Sequence, residues 1–281
     1  MNGYVVVGVD GSLVAVRALD WAVEEAVRRG TALRIVCAVA DRDEAGPVLA
    51  SATARVYERH PGVPVESRAV EGGAVGVLAA ESTGAALTVV GTRGLGSVTG
   101  LLAGSVSWRL AARVHGPLVI VRGDHPCDRA REGLLGLESD ADQPAAAYAF
   151  QEAARRGARL RVLHSSTHRH ITPELPSLVS ATSPGQERQS RIDRAEEAVP
   201  WFNVAGLREE YPEVEVDSRT VRTGPAHALL SGTREAGVVV IGTRQRTGRL
   251  GPPLGPVAQV LLEHAHCPVV LVPTNGGRAQ R

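Results

Sequence analysis

The residues whose types and spacing suit chemistry lie between Leu87 and Arg122. An apolar run, Leu87-Thr88-Val89-Val90-Gly91, leads into a loop with glycines at 91, 94, 96, 100 and 104. The loop ends at Gly104-Ser105, where a short helix is expected, and the apolar run Leu118 to Val121 follows. Glycines let backbone amides approach a ligand closely, and a helix N-terminus presents unpaired N–H groups with partial positive charge. Together they describe an anion site, most often one for phosphate. Asp10 adds a carboxylate where the first apolar run, Tyr4 to Val9, gives way to Gly11-Ser12. Each residue also has a plainer use. Ser105 is a good N-cap without any ligand, and Asp10 can simply close the turn before the next helix. Arg93 recurs as Arg244, which favours a structural or solvent role nearly as much as a phosphate contact.

Several chemistries are excluded outright. All 31 basic residues are arginine, so a P-loop lysine, a Schiff base and a lysine general base are absent. With 30 acidic residues the net charge is +1 and unclustered, giving no footprint for nucleic acid or an anionic membrane. Cys37, Cys127 and Cys267 fit no metal or disulfide spacing and point to buried thiols in a reducing compartment, the cytoplasm. The start of the chain enters a strand directly, and no apolar run approaches the about 18 residues of a membrane span. His164, His168, His170, His264 and His266 lack a framing cysteine or carboxylate, and a solvated loop explains them better than a metal. Trp21, Trp108 and Trp201 are expected to be packing residues.

The elements that must position the site alternate in type. Tyr4 to Val9 reads as a buried parallel strand, and Val16 to Arg29 as an amphipathic helix closed by Gly30. Strand Leu33 to Val39, a weak helix from Val48 to Arg59, an edge-like strand Val63 to Val70 and helix Gly73 to Ser82 come next. Strand Ala86 to Val90, the glycine loop, a helix from Ser105 to about Val114 and strand Leu118 to Val121 complete the unit. Such alternation implies right-handed crossovers and a doubly wound parallel sheet. Ligands in these sheets bind beyond the carboxyl ends of strands where the strand order reverses. If the first and fourth strands are neighbours there, Asp10 and Gly91 face one crevice.

The second half repeats the first. Glu152 to Val162 matches Glu25 to Ile35, Val238 to Arg244 matches the run ending at Arg93, and Cys267 to Val272 matches Gly116 to Val121. The junction is the polar segment from Gly123 to Arg131. A long proline- and serine-bearing loop spans 165 to 189, and residues 274 to 281 are expected to be disordered.

At this point the chain resembles the universal stress protein family in its tandem two-domain form. The family's spacing of Gly, two residues, Gly, nine residues, Gly, then Ser or Thr stands here as Gly91, Gly94, Gly104 and Ser105. The opening Val7 to Ser12 is similar to the family's start, and the resemblance covers nearly the whole chain. It implies two five-stranded, doubly wound sheets, residues 1–123 and 131–274, packed as an intramolecular pseudo-dimer through their last strands. A site for ATP or another adenine nucleotide, optionally with Mg2+, is implied in the first domain. Carried over by residue, Gly8 permits close approach, Asp10 holds the ribose, and Ala38 and Val39 line the adenine through backbone groups. Gly91, Thr92, Arg93, Gly94, Leu95, Gly96 and Ser97 wrap the phosphates, which the Gly104 amide, Ser105 hydroxyl and Val106 amide bind.

The second half departs from that pattern at three places. Gly94 becomes Gln245, Ser105 becomes Pro256 and Asp10 becomes Glu138. Proline supplies no amide, so the second domain is read as a structural partner that binds nucleotide weakly or not at all. The leading function is a regulatory stress-response module that binds ATP and acts through protein partners, with homodimerisation beyond the internal pseudo-dimer left open. Alternatives are a slow ATP hydrolase or other enzyme of the same nucleotide-binding group, and a stress protein that dimerises without nucleotide. No general base is placed against the phosphates, and Asp10-Gly11-Ser12-Leu13 stands where a nucleotidyl transferase of that group carries a His-x-Gly-His type motif.

Overall fold

Ser12 sets the start of the first helix. Its Oγ accepts the Ala15 amide at 3.2 Å, so α1 runs from Leu13 to Arg29, three residues longer than the apolar pattern alone indicates. The pattern misses the first turn because Leu13 points into solvent, 81% exposed, and only the cap marks it. Gly30, at φ 60°, closes the helix in the left-handed conformation that a side chain disfavours.

The computed structural model describes residues 3–92, 105–122, 132–165, 204–221, 224–244 and 254–274. In the first half β1 (Val5–Gly8) precedes α1, then come β2 (Leu33–Val39), α2 (Gly46–Arg59), β3 (Val65–Glu71) and α3 (Ala74–Glu81). They are followed by β4 (Leu87–Gly91), α4 (Ser105–Ala111) and β5 (Leu118–Val121). The last turn expected of α4 tightens instead, with the amides of Arg113 and Val114 both donating to the Leu110 carbonyl. The second half contains β6 (Glu132–Leu137), α5 (Gln143–Arg156), β7 (Arg159–Ser165), a helix α6 over 204–210 and β8 (Val216–Val221). It ends with α7 (Pro225–Gly232), β9 (Val238–Arg244), α8 (Pro256–His264) and β10 (Val269–Thr274).

The ten strands form one sheet in the order β3-β2-β1-β4-β5-β10-β9-β6-β7-β8. Each five-strand half is parallel and doubly wound, as the alternation implied. The halves join where β5 and β10 pair antiparallel, Leu118 opposite Leu271 and Ile120 opposite Val269. The duplication extends to single hydrogen bonds. Ser82 Oγ accepts the His115 amide in one half and Thr233 Oγ1 the His266 amide in the other, each at 3.1 Å. Period-two alternation divides the core into two layers that cross the join. Val5, Val7, Val119 and Val270 face α1, α2 and α5, whereas Val6, Ile120 and Val269 face α3, α4, α7 and α8. Trp21 is buried in the first layer and Trp108 packs on the second, as their types suggested.

Where α1 meets α5, equivalent residues of the two halves form a buried ionic cluster. Glu25 and Glu152 are 0% and 2% exposed. Arg29 reaches Glu25 at 2.6 Å and Glu152 at 3.0 Å, while Arg156 reaches Glu25 at 3.0 Å and also pairs with Glu152. The Arg156 guanidinium lies 5.3 Å over Trp21 and that of Arg29 lies 5.6 Å over Tyr148, whose hydroxyl accepts from Arg29. Burial raises both carboxyl groups and the arginines oppose it. For Glu25 the arginines prevail and its pKa is lowered; for Glu152, burial and the Glu25 charge prevail and its pKa is raised.

Two measurements follow from this cluster. Glu25→Ala takes a carboxylate from three largely covered arginines, Arg28, Arg29 and Arg156, and is expected to cost about 3–5 kcal/mol in urea unfolding. A raised carboxyl in the native state contributes stability at low pH that is lost as pH climbs through its native pKa. Glu152→Gln, which stays uncharged, should therefore gain stability relative to the wild type as pH rises from the ordinary glutamate value of 4.5. A flat difference across that range would contradict the assignment.

Candidate functional site

The strand order reverses between β1 and β4. β1 pairs with β2 on one side and with β4 on the other, Val7 opposite Ile35 and Val89. The carboxyl ends of β1 and β4 thus open onto one crevice, the place where such sheets bind ligands. Gly8 and Asp10 stand at one wall, Gly91 and Thr92 at the other. Ser105 begins α4 beyond them, with Val106 exposed in its first turn. Arg93, Gly94, Leu95, Gly96, Ser97 and Gly104 lie outside the described residues.

The contacts assign several of these residues a definite local task. Asp10 Oδ1 accepts the Ser12 amide at 3.0 Å, closing the turn that leads to the α1 cap. Beneath it Cys37 is buried, and burial together with the Asp10 charge pushes its thiol up, away from the reactive thiolate. The Thr92 amide donates to the Val121 carbonyl at 3.1 Å, so the sheet occupies it. Ala38 packs toward the α3 side of the sheet and Val39 toward the α1–α2 side, with the Val39 carbonyl accepting the Gly72 amide at 3.0 Å. The side chains of the two positions expected to line the adenine through backbone groups are therefore split between the two faces.

The glycines have a packing reason of their own. A Cβ on Gly91 would lie 2.7 Å from Val14 Cγ1 and 3.1 Å from the Val14 carbonyl carbon, because the first turn of α1 sits directly on β4. One on Gly8 would meet Leu78 of α3 at 2.9 Å. Ser107 is the residue that the sequence reading missed. It is buried, and its Oγ donates to the Gly91 carbonyl at 2.9 Å, tying α4 to the end of β4. Its counterpart by the repeat is Ala258, so comparing the two halves singles it out only once the bond is known.

The same crevice exists in the second half, between β6 and β9, with a volume of about 420 Å³. Gly136, Glu138, Gly242, Gly255, Pro256 and Val257 line it, and these are the repeat counterparts of Gly8, Asp10, Gly91, Gly104, Ser105 and Val106. Asp142 lies over Gly242, its Oδ1 2.3 Å from where a Cβ would stand, and its Oδ2 accepts the Glu138 and Ser139 amides at 2.7 and 3.1 Å. His164 belongs to strand β7 and is buried with Nδ1 3.2 Å from the Leu137 carbonyl, which corrects the expectation of a solvated loop histidine. His168 and His170 lie outside the described residues, among which no His, Cys, Asp and Glu group suits a metal ion. Cys37 and Cys267 are buried and form no disulfide, and Cys127 lies outside the described residues. No helix among the described residues is long and apolar enough to cross a membrane.

Fold and site define a duplicated doubly wound α/β protein with one strand-end crevice in each half. The profile of the universal stress protein family matches residues 1–58, 43–122 and 134–273, and the chain belongs to that family. A universal stress protein of Mycolicibacterium smegmatis is 32% identical over 292 residues, covering 95% of this chain and 96% of its own. One from Mycobacterium tuberculosis is 31% identical with 95% of each chain covered. Among solved structures, a universal stress protein of Archaeoglobus fulgidus superposes with a TM-score of 0.63 at 15% identity, covering 97% of this chain and 99% of that one. A functionally unknown protein of Pseudomonas aeruginosa gives 0.66 at 16% identity, covering 97% and 92%. At such identities the structures speak to the fold.

Gly91→Ala should destabilise the protein by about 1–3 kcal/mol in thermal unfolding, because the Val14 backbone cannot withdraw without moving α1. Gly46→Ala, whose Cβ would meet nothing within 4 Å, should change stability by less than about 0.5 kcal/mol.

Proposed function

We propose that the first half binds an adenine nucleotide, ATP, and that the protein is a regulatory module acting through protein partners. Residues 1–123 are the nucleotide-binding unit and residues 131–274 a second unit built on the same frame. The observation that carries this reading is the switch-point crevice between β1 and β4, onto which Asp10, Gly91 and the start of α4 converge. The Gly91, Gly94, Gly104, Ser105 spacing is present in the sequence of the first half alone.

Asp10 is the carboxylate placed to accept ribose hydroxyls. The loop amides and the Ser105 hydroxyl supply the donors that a lysine supplies elsewhere. The described residues offer no three-carboxylate cluster, so Mg2+, where it accompanies ATP, would be held chiefly by phosphate oxygens. A binding and regulatory role fits better than efficient catalysis because no described residue offers a general base with a fixed position relative to the phosphates. The buried thiols Cys37 and Cys267, neither of them in a disulfide, support a reducing compartment, the cytoplasm.

Purified protein should release adenine nucleotide on heat denaturation at about one per chain, or gain thermal stability on adding ATP. Gly94→Gln with Ser105→Pro, which copies the second half into the first, should weaken ATP binding at least about tenfold, or 1.4 kcal/mol. No released nucleotide together with no thermal shift at millimolar ATP would overturn the proposal.

A further inference from the structure

The crevice of the second half keeps its volume while losing its phosphate anchors. Helix α8 begins with Pro256, which has neither an amide hydrogen nor a hydroxyl, and Ala258 stands where the first half has Ser107. The charge at its mouth is also unsuited to an anion. Glu138 is exposed at the end of β6 and its carboxylate has no hydrogen-bond or ion partner among the described residues. Asp142 adds a second carboxylate, 7% exposed, over Gly242 of β9. Among the described lining residues one cation stands against these, Arg244, which donates to Ser139 Oγ at 3.3 Å. The deeper walls are apolar. Leu163, Val221, Ala228 and Ile241 form a slot on the α7 side of the sheet.

We propose that this crevice is a second, chemically distinct site, for an unphosphorylated nucleoside. A flat apolar ring fits against Leu163, Val221, Ala228 and Ile241. The exposed carboxylate of Glu138 accepts two neighbouring sugar hydroxyls, which an acceptor-only group recognises well. Phosphate is rejected because it would meet two carboxylates and a proline in place of donors. A cavity of about 420 Å³ lies within the range of small-molecule sites and accommodates a molecule of that size. The choice of a nucleoside rests on reading the first crevice as a nucleotide site, whereas the exclusion of phosphate rests on the second crevice alone.

The test uses the full chain carrying Gly94→Gln and Ser105→Pro, and in parallel the wild-type chain saturated with ATP, each titrated calorimetrically with adenosine. Adenosine should bind at one per chain and, in the doubly substituted chain, at least tenfold more tightly than ATP. Adding Glu138→Arg, at an exposed position, should weaken adenosine at least tenfold, and Ala228→Trp should abolish its binding by filling the slot. No adenosine binding at millimolar concentration in either chain would overturn the proposal. So would ATP binding as tight as adenosine in the doubly substituted chain, or indifference to Glu138→Arg. Titrating ATP into a chain carrying only Ala228→Trp reports on the first crevice, so failure of one reading is separable from failure of the other.

Discussion

The antiparallel pairing of β5 with β10 is the constraint on which the rest depends. Each half ends on an apolar strand, Leu-Val-Ile-Val at 118–121 and Val-Val-Leu-Val at 269–272, fully or almost fully buried in the structure. Left as edges, these strands would offer unpaired backbone and bare hydrophobic surface to any other chain. Paired with each other they join two parallel half-sheets into one, and both core layers continue across the join without interruption. The outer edges, β3 and β8, are the polar strands of the sheet, with Glu66, Arg68, Asp217 and Arg219 engaged in ion pairs. Apolar edges are hidden inside the chain and charged ones face out.

That join fixes what lies above it. Pairing β5 with β10 sets α1 beside α5, and Glu25, Arg29, Glu152 and Arg156 then meet although no water-exposed surface remains for the two carboxylates. Each acid takes two arginines from its own helix, Arg28 and Arg29 for Glu25 and Arg155 and Arg156 for Glu152, and one from the other. The cross-pairs form only if the two halves stack with matched helices, since a shift would strand a charge out of water. Burying ions rarely adds net stability, but it penalises every alternative arrangement. The cluster therefore selects the registry of α1 on α5, while the apolar layers supply the cohesion.

Much of the frame was legible because its signals are local. Strands β2 and β5 are placed to the residue by short apolar runs, and the pairing of the last strands followed from the repeat together with the family resemblance. The start of α1 was not, since Leu13 breaks the pattern and only the Ser12 hydroxyl marks the boundary. The ionic cluster was in view as the repeated Glu-Ala-x-Arg-Arg-Gly, yet nothing in one dimension says that two copies of a helix face each other. Asp10 and Gly91 were brought to one crevice by topology, as the switch-point rule implied. Ser107 and His164 were missed or misassigned because their partners are carbonyls of distant strands, Gly91 and Leu137.

The comparison of the halves also separates two kinds of glycine. Gly8 and Gly91 recur as Gly136 and Gly242, and in both halves a side chain from a neighbouring helix or turn lies where a Cβ would be: Leu78 and Val14 in one, Leu229 and Asp142 in the other. These glycines would persist with no ligand at all, because the sheet cannot accept its helices otherwise. Gly94 and Ser105, by contrast, are not kept in the second half, where their counterparts are Gln245 and Pro256. A position that changes while its fold is kept is free of the packing constraint, so its identity in the other half answers to something else. The signature spacing is thus two signals superimposed. Its first glycine reports how α1 seats on β4, whereas its second glycine and its serine are the positions at which the two halves part.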